Sequence, residues 1–250
     1  MIRLEGVTRR FGELTVLDRF SLEVETGETV VVVGRSGSGK SVLLKHVAGL
    51  IRPQEGSVRV AGEEISSASR EEVNRVRLRM GYVFQASALF DSLTVAENLR
   101  LALDRHGVPE AEREERVARN LERVGLEGWG DRMPAELSGG MRKRAGVARA
   151  VAPAPEYLLY DEPTSGLDPV TTSMIDELIL RLERELDATS LVVTHDMRSA
   201  YRIADRIALL YGGRIRWSGT PEAFREGEDP AVRAFVEGRR ELWPEEEEEP

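Results

Sequence analysis

Gly34-Arg35-Ser36-Gly37-Ser38-Gly39-Lys40-Ser41 follows directly on Thr29-Val30-Val31-Val32-Val33. The β-branched run suits a strand buried on both faces, as in a parallel sheet. The octapeptide matches G-x-x-x-x-G-K-[ST] in full. Its glycines let the backbone curl until several N–H groups point at one phosphate. The helix read over Lys40–Leu50 would present the positive end of its dipole to that anion. Lys40 is placed to reach the β and γ phosphates, and the Ser41 hydroxyl to reach Mg²⁺. Strand, glycine turn and helix in this order predict an α/β fold.

The chain has 250 residues, which at about 150 residues per domain allows one large domain or two small ones. Hydrophobic residues at 41% and charged residues at 32% are globular proportions. A net charge of −9 argues against a nucleic-acid partner, which needs a basic face. There is no cysteine, which excludes a disulfide scaffold, a thiol nucleophile and a Cys-ligated zinc site. No apolar run approaches the roughly 18 residues of a membrane span, and no apolar stretch follows Met1–Glu5 as in a signal peptide. Any work at a membrane is expected to go through a partner.

The N-terminal third reads as β, with strands over Thr15–Val24 and Val58–Val60, the latter after the turn Pro53-Gln54-Glu55-Gly56. From Ser69 to Val151 the pattern turns helical. Ser69 with Glu72 and Thr94 with Glu97 fit capping boxes. Val117, Leu121 and Val124 share a helix face, Glu112–Arg116 is its solvated side, and Ser138–Val151 reads as a further helix that the prolines 153 and 155 should cut short. Beyond it lie a strand over Glu156–Tyr160 and a helix capped by Asp168-Pro169, with Ile175, Leu178, Ile179 and Leu182 on its apolar face. A strand over Leu191–Val193 and a helix over Met197–Ile203 follow. A strand pair, Arg206–Leu210 and Arg214–Trp217, closes around Gly212-Gly213. The acidic tail 241–250 is expected to be disordered, either as a solubilising end or as a cover for a partner.

A phosphate loop of this kind needs a carboxylate at the end of a neighbouring strand. Tyr157-Leu158-Leu159-Tyr160-Asp161-Glu162 supplies two: Asp161 to hold Mg²⁺ through water and Glu162 to polarise the attacking water.

Leu137-Ser138-Gly139-Gly140-Met141 resembles the signature loop of ABC-type ATPases. Gln85 after Val83-Phe84 is similar to their Q-loop, Ser165-Gly166-Leu167-Asp168 to their D-loop, and His195 after Thr194 to their switch histidine. Phe11 stands where the family stacks a ring on adenine, although an aromatic beside Gly12 also fits simple packing. The resemblance covers roughly residues 1–240. It implies a P-loop NTPase with a RecA-like α/β core, an antiparallel β subdomain and a helical subdomain at approximately 86–152. It implies ATP hydrolysis with Mg²⁺ and two copies of the chain sandwiching the nucleotide. ATP would be bound by Phe11 and by Gly34, Arg35, Ser36, Gly37, Ser38, Gly39, Lys40 and Ser41. Mg²⁺ would lie at Ser41, Gln85 and Asp161. Lys40, Glu162 and His195 would be catalytic, Ser138, Gly139, Gly140 and Met141 would act in trans, and Asp168 would serve the D-loop. Leu89, Phe90 and Asp91 would receive a helix of an integral membrane permease, or else pack within the subdomain. The chain would then sit peripherally on the cytoplasmic face of the inner membrane.

Within the family, Ser41–His46, Leu89–Val95, Leu137–Arg144 with Met141 for the commoner Gln, Thr194–Met197 and Ile203–Arg206 are similar to the Mla-type ATPases. Those power phospholipid transport between the inner and outer membranes, alongside Mce-class lipid-binding proteins. The alternatives are the ATPase of an amino-acid or other small-solute importer, and a soluble non-transport ABC ATPase.

Overall fold

Strand Thr29–Val33 is buried along its whole length in the computed structural model, which describes residues 1–227 and 229–238. The expected disorder of 241–250 lies outside the described residues. In chain order the elements are β1 (Ile2–Phe11), β2 (Leu14–Val24), β3 (Thr29–Val33), α1 (Lys40–Val47), β4 (Glu55–Val60), β5 (Glu63–Glu64), α2 (Arg70–Arg77), β6 (Met80–Val83), α3 (Val95–Arg105), α4 (Glu110–Arg123), α5 (Gly139–Val151), β7 (Tyr157–Asp161), α6 (Pro169–Leu186), β8 (Thr189–Thr194), α7 (Met197–Ile203), β9 (Arg206–Tyr211), β10 (Arg214–Gly219), α8 (Pro221–Glu226) and α9 (Pro230–Glu237). Among the described residues no helix is long and apolar enough to cross a membrane.

The chain forms two compact units. The first combines Met1–Val76 with the described residues from Thr189 onward. It holds an antiparallel sheet in the order β2-β1-β4-β5. It also holds β3, hydrogen-bonded in parallel to both β8 and β9, with β10 antiparallel beside β9. Val30–Val33 and Leu191–Val193 are fully buried, each such side chain contributing about 1.5–3 kcal/mol by its removal from water. The second unit, Arg77–Ala188, contains the whole expected helical segment 86–152 together with the parallel pair β6 and β7 and the long helix α6.

Both capping boxes form. Thr94 Oγ1 accepts from the Glu97 amide at 3.2 Å while Glu97 Oε2 accepts from the Thr94 amide at 2.7 Å. Ser69 and Glu72 do the same at 3.3 and 2.7 Å. Helix α5 ends at Val151, ahead of Pro153. Several boundaries differ from the reading of the sequence; β2 starts at Leu14, β8 runs over Thr189–Thr194, β9 ends at Tyr211 and β10 at Gly219, each one or two residues beyond the expected bounds. Helix α1 stops at Val47 rather than Leu50, because the Gly49 amide turns back to the His46 carbonyl at 2.9 Å. Strand β4 begins inside the expected turn, at Glu55. Strand β7 runs on through Asp161. Strands β1 and β6 carry little alternation: β1 is broken by register shifts and β6 has only four residues.

In the first unit, Arg206 forks onto Glu28 through Nε to Oε1 at 2.6 Å and Nη2 to Oε2 at 3.0 Å, and Nη2 also meets the Glu23 carbonyl at 2.5 Å. Burial pushes the Glu28 carboxyl up, but the bonds from Arg206 and from the Glu25 amide outweigh it and hold the pKa below 4.5. A carboxylate depressed on folding stabilises above its unfolded pKa, and that contribution fades as the pH falls through the folded value. Glu28→Gln should therefore lower Tm by about 2–4 °C near pH 7, matching roughly 1 kcal/mol for a partly buried pair. Melting curves of the two proteins should converge below pH 4.5.

Candidate functional site

In the first unit the chain leaves β3 at Val33 and enters α1 through Gly39, which sits at φ 99°, ψ 4°. A β-carbon there would lie 2.8 Å from Val16 Cγ1 and 3.0 Å from the Val16 carbonyl oxygen, so both conformation and space require glycine. No side chain caps the N-terminus of α1, and a helix start of this kind is where anions are held. Lys40 is buried, and its Nζ donates to the Gly34 carbonyl at 2.7 Å and the Arg35 carbonyl at 3.0 Å. This folds the loop around its own lysine. Ser38 Oγ is buried and has no hydrogen-bond partner. An uncapped helix start, a curled loop, an ammonium and an unmet hydroxyl are the donors a phosphate needs. Arg35, Ser36 and Gly37 are exposed, and Ser41 is half-buried.

Phe11, at the end of β1, is 46% exposed, with the Arg9 guanidinium 4.5 Å from its ring centre. It is a surface ring rather than a core residue. His195 lies exposed immediately after β8. The next residue, Asp196, caps α7 by accepting from the Arg198 amide at 2.9 Å.

In the second unit Asp161 ends β7 and is buried. The Tyr82 hydroxyl donates to its Oδ2 at 3.3 Å. Burial, and then the Asp161 charge, push the Tyr82 hydroxyl far above its usual range, so it stays a donor. Glu162, also buried, adopts φ +47°, a left-handed conformation that non-glycine residues seldom take. Gln85 is exposed, with Nε2 3.4 Å from Ser165 Oγ. Ser138 caps α5, its Oγ accepting from the Met141 amide at 3.3 Å. Asp168 caps α6 by accepting from the Val170 and Thr171 amides, both at 3.0 Å. A cleft of about 320 Å³ lies against Ser138, Gly140, Met141, Leu167, Asp168 and Thr171. The expected signature and D-loop residues therefore border one space. Among the described residues no cluster of three or more acidic or histidine side chains could cage a metal.

Phe90 is 53% exposed and Leu89 half-buried. The buried Asn98 fixes the loop around them. Its Oδ1 accepts from the Phe90 amide at 2.8 Å, and its Nδ2 donates to the carbonyls of Phe90, Leu93 and Thr94 at 3.1, 3.2 and 2.9 Å.

Reading the sequence missed Tyr82, Asn98 and the basic residues of α5. Lys143, buried within α5, donates from Nζ to the Gln85 carbonyl at 2.5 Å and to the Glu162 carbonyl at 3.2 Å. Burial lowers its pKa, opposed by the charges of Glu162 and Asp161. Arg149 donates to the Ala88 carbonyl, and Arg144 to those of Val124 and Gly125 at 2.8 and 2.9 Å. A β-carbon on Gly146 would come within 3.1 Å of the Ser87 carbonyl oxygen, so the loop rests directly on the helix. In the sequence Met141-Arg142-Lys143-Arg144, nothing distinguishes the buried cation from its exposed neighbour.

Residues 17–165 match the family model described as ABC transporter. Over 240 residues the chain is 39% identical to the probable ribonucleotide transport ATP-binding protein mkl of Mycobacterium leprae, covering 96% of this chain and 69% of that protein. It is 41% identical over 254 residues to the methionine import ATP-binding protein MetN of Geobacillus kaustophilus, covering 100% of this chain and 74% of the other. The dimeric post-hydrolysis structure of the ATP-binding cassette MJ0796, bound to ADP and Pi, superposes with a TM-score of 0.81 at 33% identity. It covers 88% of this chain and 99% of that one.

The left-handed entry into α1 gives a direct test. Gly39→Ala should weaken ATP binding by about tenfold or more and lower Tm by several degrees, since it adds both backbone strain and a clash. Isothermal titration with ATP and a melting curve would read the two effects.

Proposed function

Because this chain belongs to the ABC transporter family as an ATP-hydrolysing subunit, we propose that it powers phospholipid transport between the inner and outer membranes, in the manner of the Mla-type ATPases. The observation that carries the nucleotide chemistry is the phosphate loop curled around buried Lys40, with the Ser38 hydroxyl unmet. Residues Gly34–Ser41 bind the phosphates, and Phe11 offers its exposed ring to the adenine. Ser41, Gln85 and Asp161 hold Mg²⁺, which neutralises charge on the phosphate oxygens when bound. The Glu162 carboxylate takes a proton from water as the water oxygen attacks the γ-phosphorus. The bond to the β–γ bridging oxygen breaks and ADP leaves. Lys40 and His195 stabilise the charge that develops. Ser138, Gly139, Gly140 and Met141 serve the nucleotide of a second copy of the chain, with the α5 N-terminus directed at the γ-phosphate, and Asp168 holds the D-loop beside them.

In this reading residues 1–240 are one cassette and 86–152 its helical subdomain. The loop carrying Leu89, Phe90 and Asp91 receives a cytoplasmic helix of the permease. An Mce-class lipid-binding protein belongs to the same complex, and the chain sits on the cytoplasmic face of the inner membrane. The lipid assignment is supported by the stretches around Phe90-Asp91-Ser92, Met141 and Thr194–Met197. A second reading, a small-solute importer, is favoured by the 41% identity to a protein named for methionine import.

Glu162→Gln should reduce ATP turnover by about a hundredfold or more and accumulate an ATP-bound dimer on size exclusion. Turnover near wild type would remove Glu162 from its role. The cargo is decided by purifying the chain with its membrane complex in detergent and identifying its companions by mass spectrometry. The lipid reading expects a multi-pass subunit, an Mce-class protein and bound phospholipid. A permease with a solute-binding protein would replace it with the importer.

A further inference from the structure

Glu162 is held in a left-handed conformation, at φ +47°, with no glycine to make that conformation easy. Its main-chain carbonyl accepts from Lys143 Nζ at 3.2 Å. The same ammonium donates to the Gln85 carbonyl at 2.5 Å. Lys143 is 7% exposed, and it stands one turn and a half into the helix that Ser138 caps. Three segments separated in sequence thus meet at one nitrogen: the signature helix, the first residue of the Gln85–Ala88 loop and the residue that follows β7. Further along the same helix, Gly146 seats Ser87 and Arg149 holds the Ala88 carbonyl, while Ser87 and Ala88 are themselves left-handed at φ +63° and +46°. The loop is therefore tied to α5 at both ends.

We propose that Lys143 is a positioning residue for ATP hydrolysis: by bridging the carbonyls of Gln85 and Glu162 it sets the direction of the Glu162 carboxylate. This rests on the role given to Glu162 above. An ammonium suits the task because it can donate to two carbonyls at once while paying little for direction. Without it, the Gln85 carbonyl loses this donor and the Glu162 carbonyl is left to the Ser165 amide, 3.2 Å away, so that Glu162 can relax out of its strained conformation. The bonds of Lys143 go to Gln85 and Glu162 and not to residues 34–41, so the effect falls on the chemical step rather than on nucleotide affinity measured without Mg²⁺.

The test is single-turnover hydrolysis of ATP with the full chain in excess, beside the ATP dissociation constant in Mg²⁺-free buffer. Lys143→Met should slow hydrolysis about tenfold or more and change the dissociation constant by less than about twofold, a split expected when only transition-state placement is lost. Lys143→Arg, which retains donors for both carbonyls, should recover the rate to within about threefold of wild type. Lys143→Gln is one atom too short to bridge them and should behave like the Met variant, which keeps the comparison available if Met does not fold. A wild-type rate in the Met or Gln variant would overturn the proposal. So would an Arg variant no faster than either, or a loss of rate matched by an equal loss of affinity. Glu162→Gln is run alongside: if it hydrolyses ATP at the wild-type rate, the role of Glu162 fails, whereas if it is inactive while Lys143→Met runs at full speed, only the inference about Lys143 fails.

Discussion

Irregular backbone inside a protein must find donors for its carbonyl groups. In the second unit one helix supplies them. Arg142, Lys143, Arg144 and Arg149 of α5 all donate to main-chain carbonyls, at Leu137, Gln85 with Glu162, Val124 with Gly125, and Ala88. These are the places where strands and helices give way to loops. The loops carry the residues expected to do chemistry, so their shapes are set by a helix that Ser138 caps. Cations do this better than neutral donors, because each can serve more than one acceptor and charge-assisted bonds are stronger.

The opposite device operates in the first unit. There the phosphate loop is shaped by its own residues: Gly39 turns into α1 in a left-handed conformation and Lys40 reaches back to the carbonyls of Gly34 and Arg35. Strand β3 lends rigidity, since it is buried from Thr29 to Val33 between β8 and β9. One loop is bonded from within by its own lysine, and the others lean on a distant helix.

That contrast explains what the sequence disclosed. The phosphate loop was legible because all its determinants lie within eight consecutive residues. The capping boxes at Ser69 and Thr94 were legible for the same reason, with partners three residues apart. The bonds of Lys143 span 58 and 19 residues, and no local pattern encodes them. Tyr82 meets Asp161 across 79 residues because β6 and β7 happen to be neighbours. Asn98 belongs to no motif in the sequence, yet it pins the loop bearing Phe90 with four hydrogen bonds. Strand β1 escaped notice because its register shifts interrupt the period-two pattern on which such readings depend.

The bonds from Lys40 to the Gly34 and Arg35 carbonyls carry one more consequence. A loop of glycines and serines has a large entropy to lose when it closes on an anion. Here the lysine tethers the curl from within, so much of that ordering belongs to folding rather than to binding. On the proposed role of Lys40, a nucleotide would meet a receptor already shaped, and its arrival would be an exchange of acceptors at one ammonium, from amide oxygens to phosphate oxygens. Affinity then reflects the difference between two acceptors rather than the full strength of either.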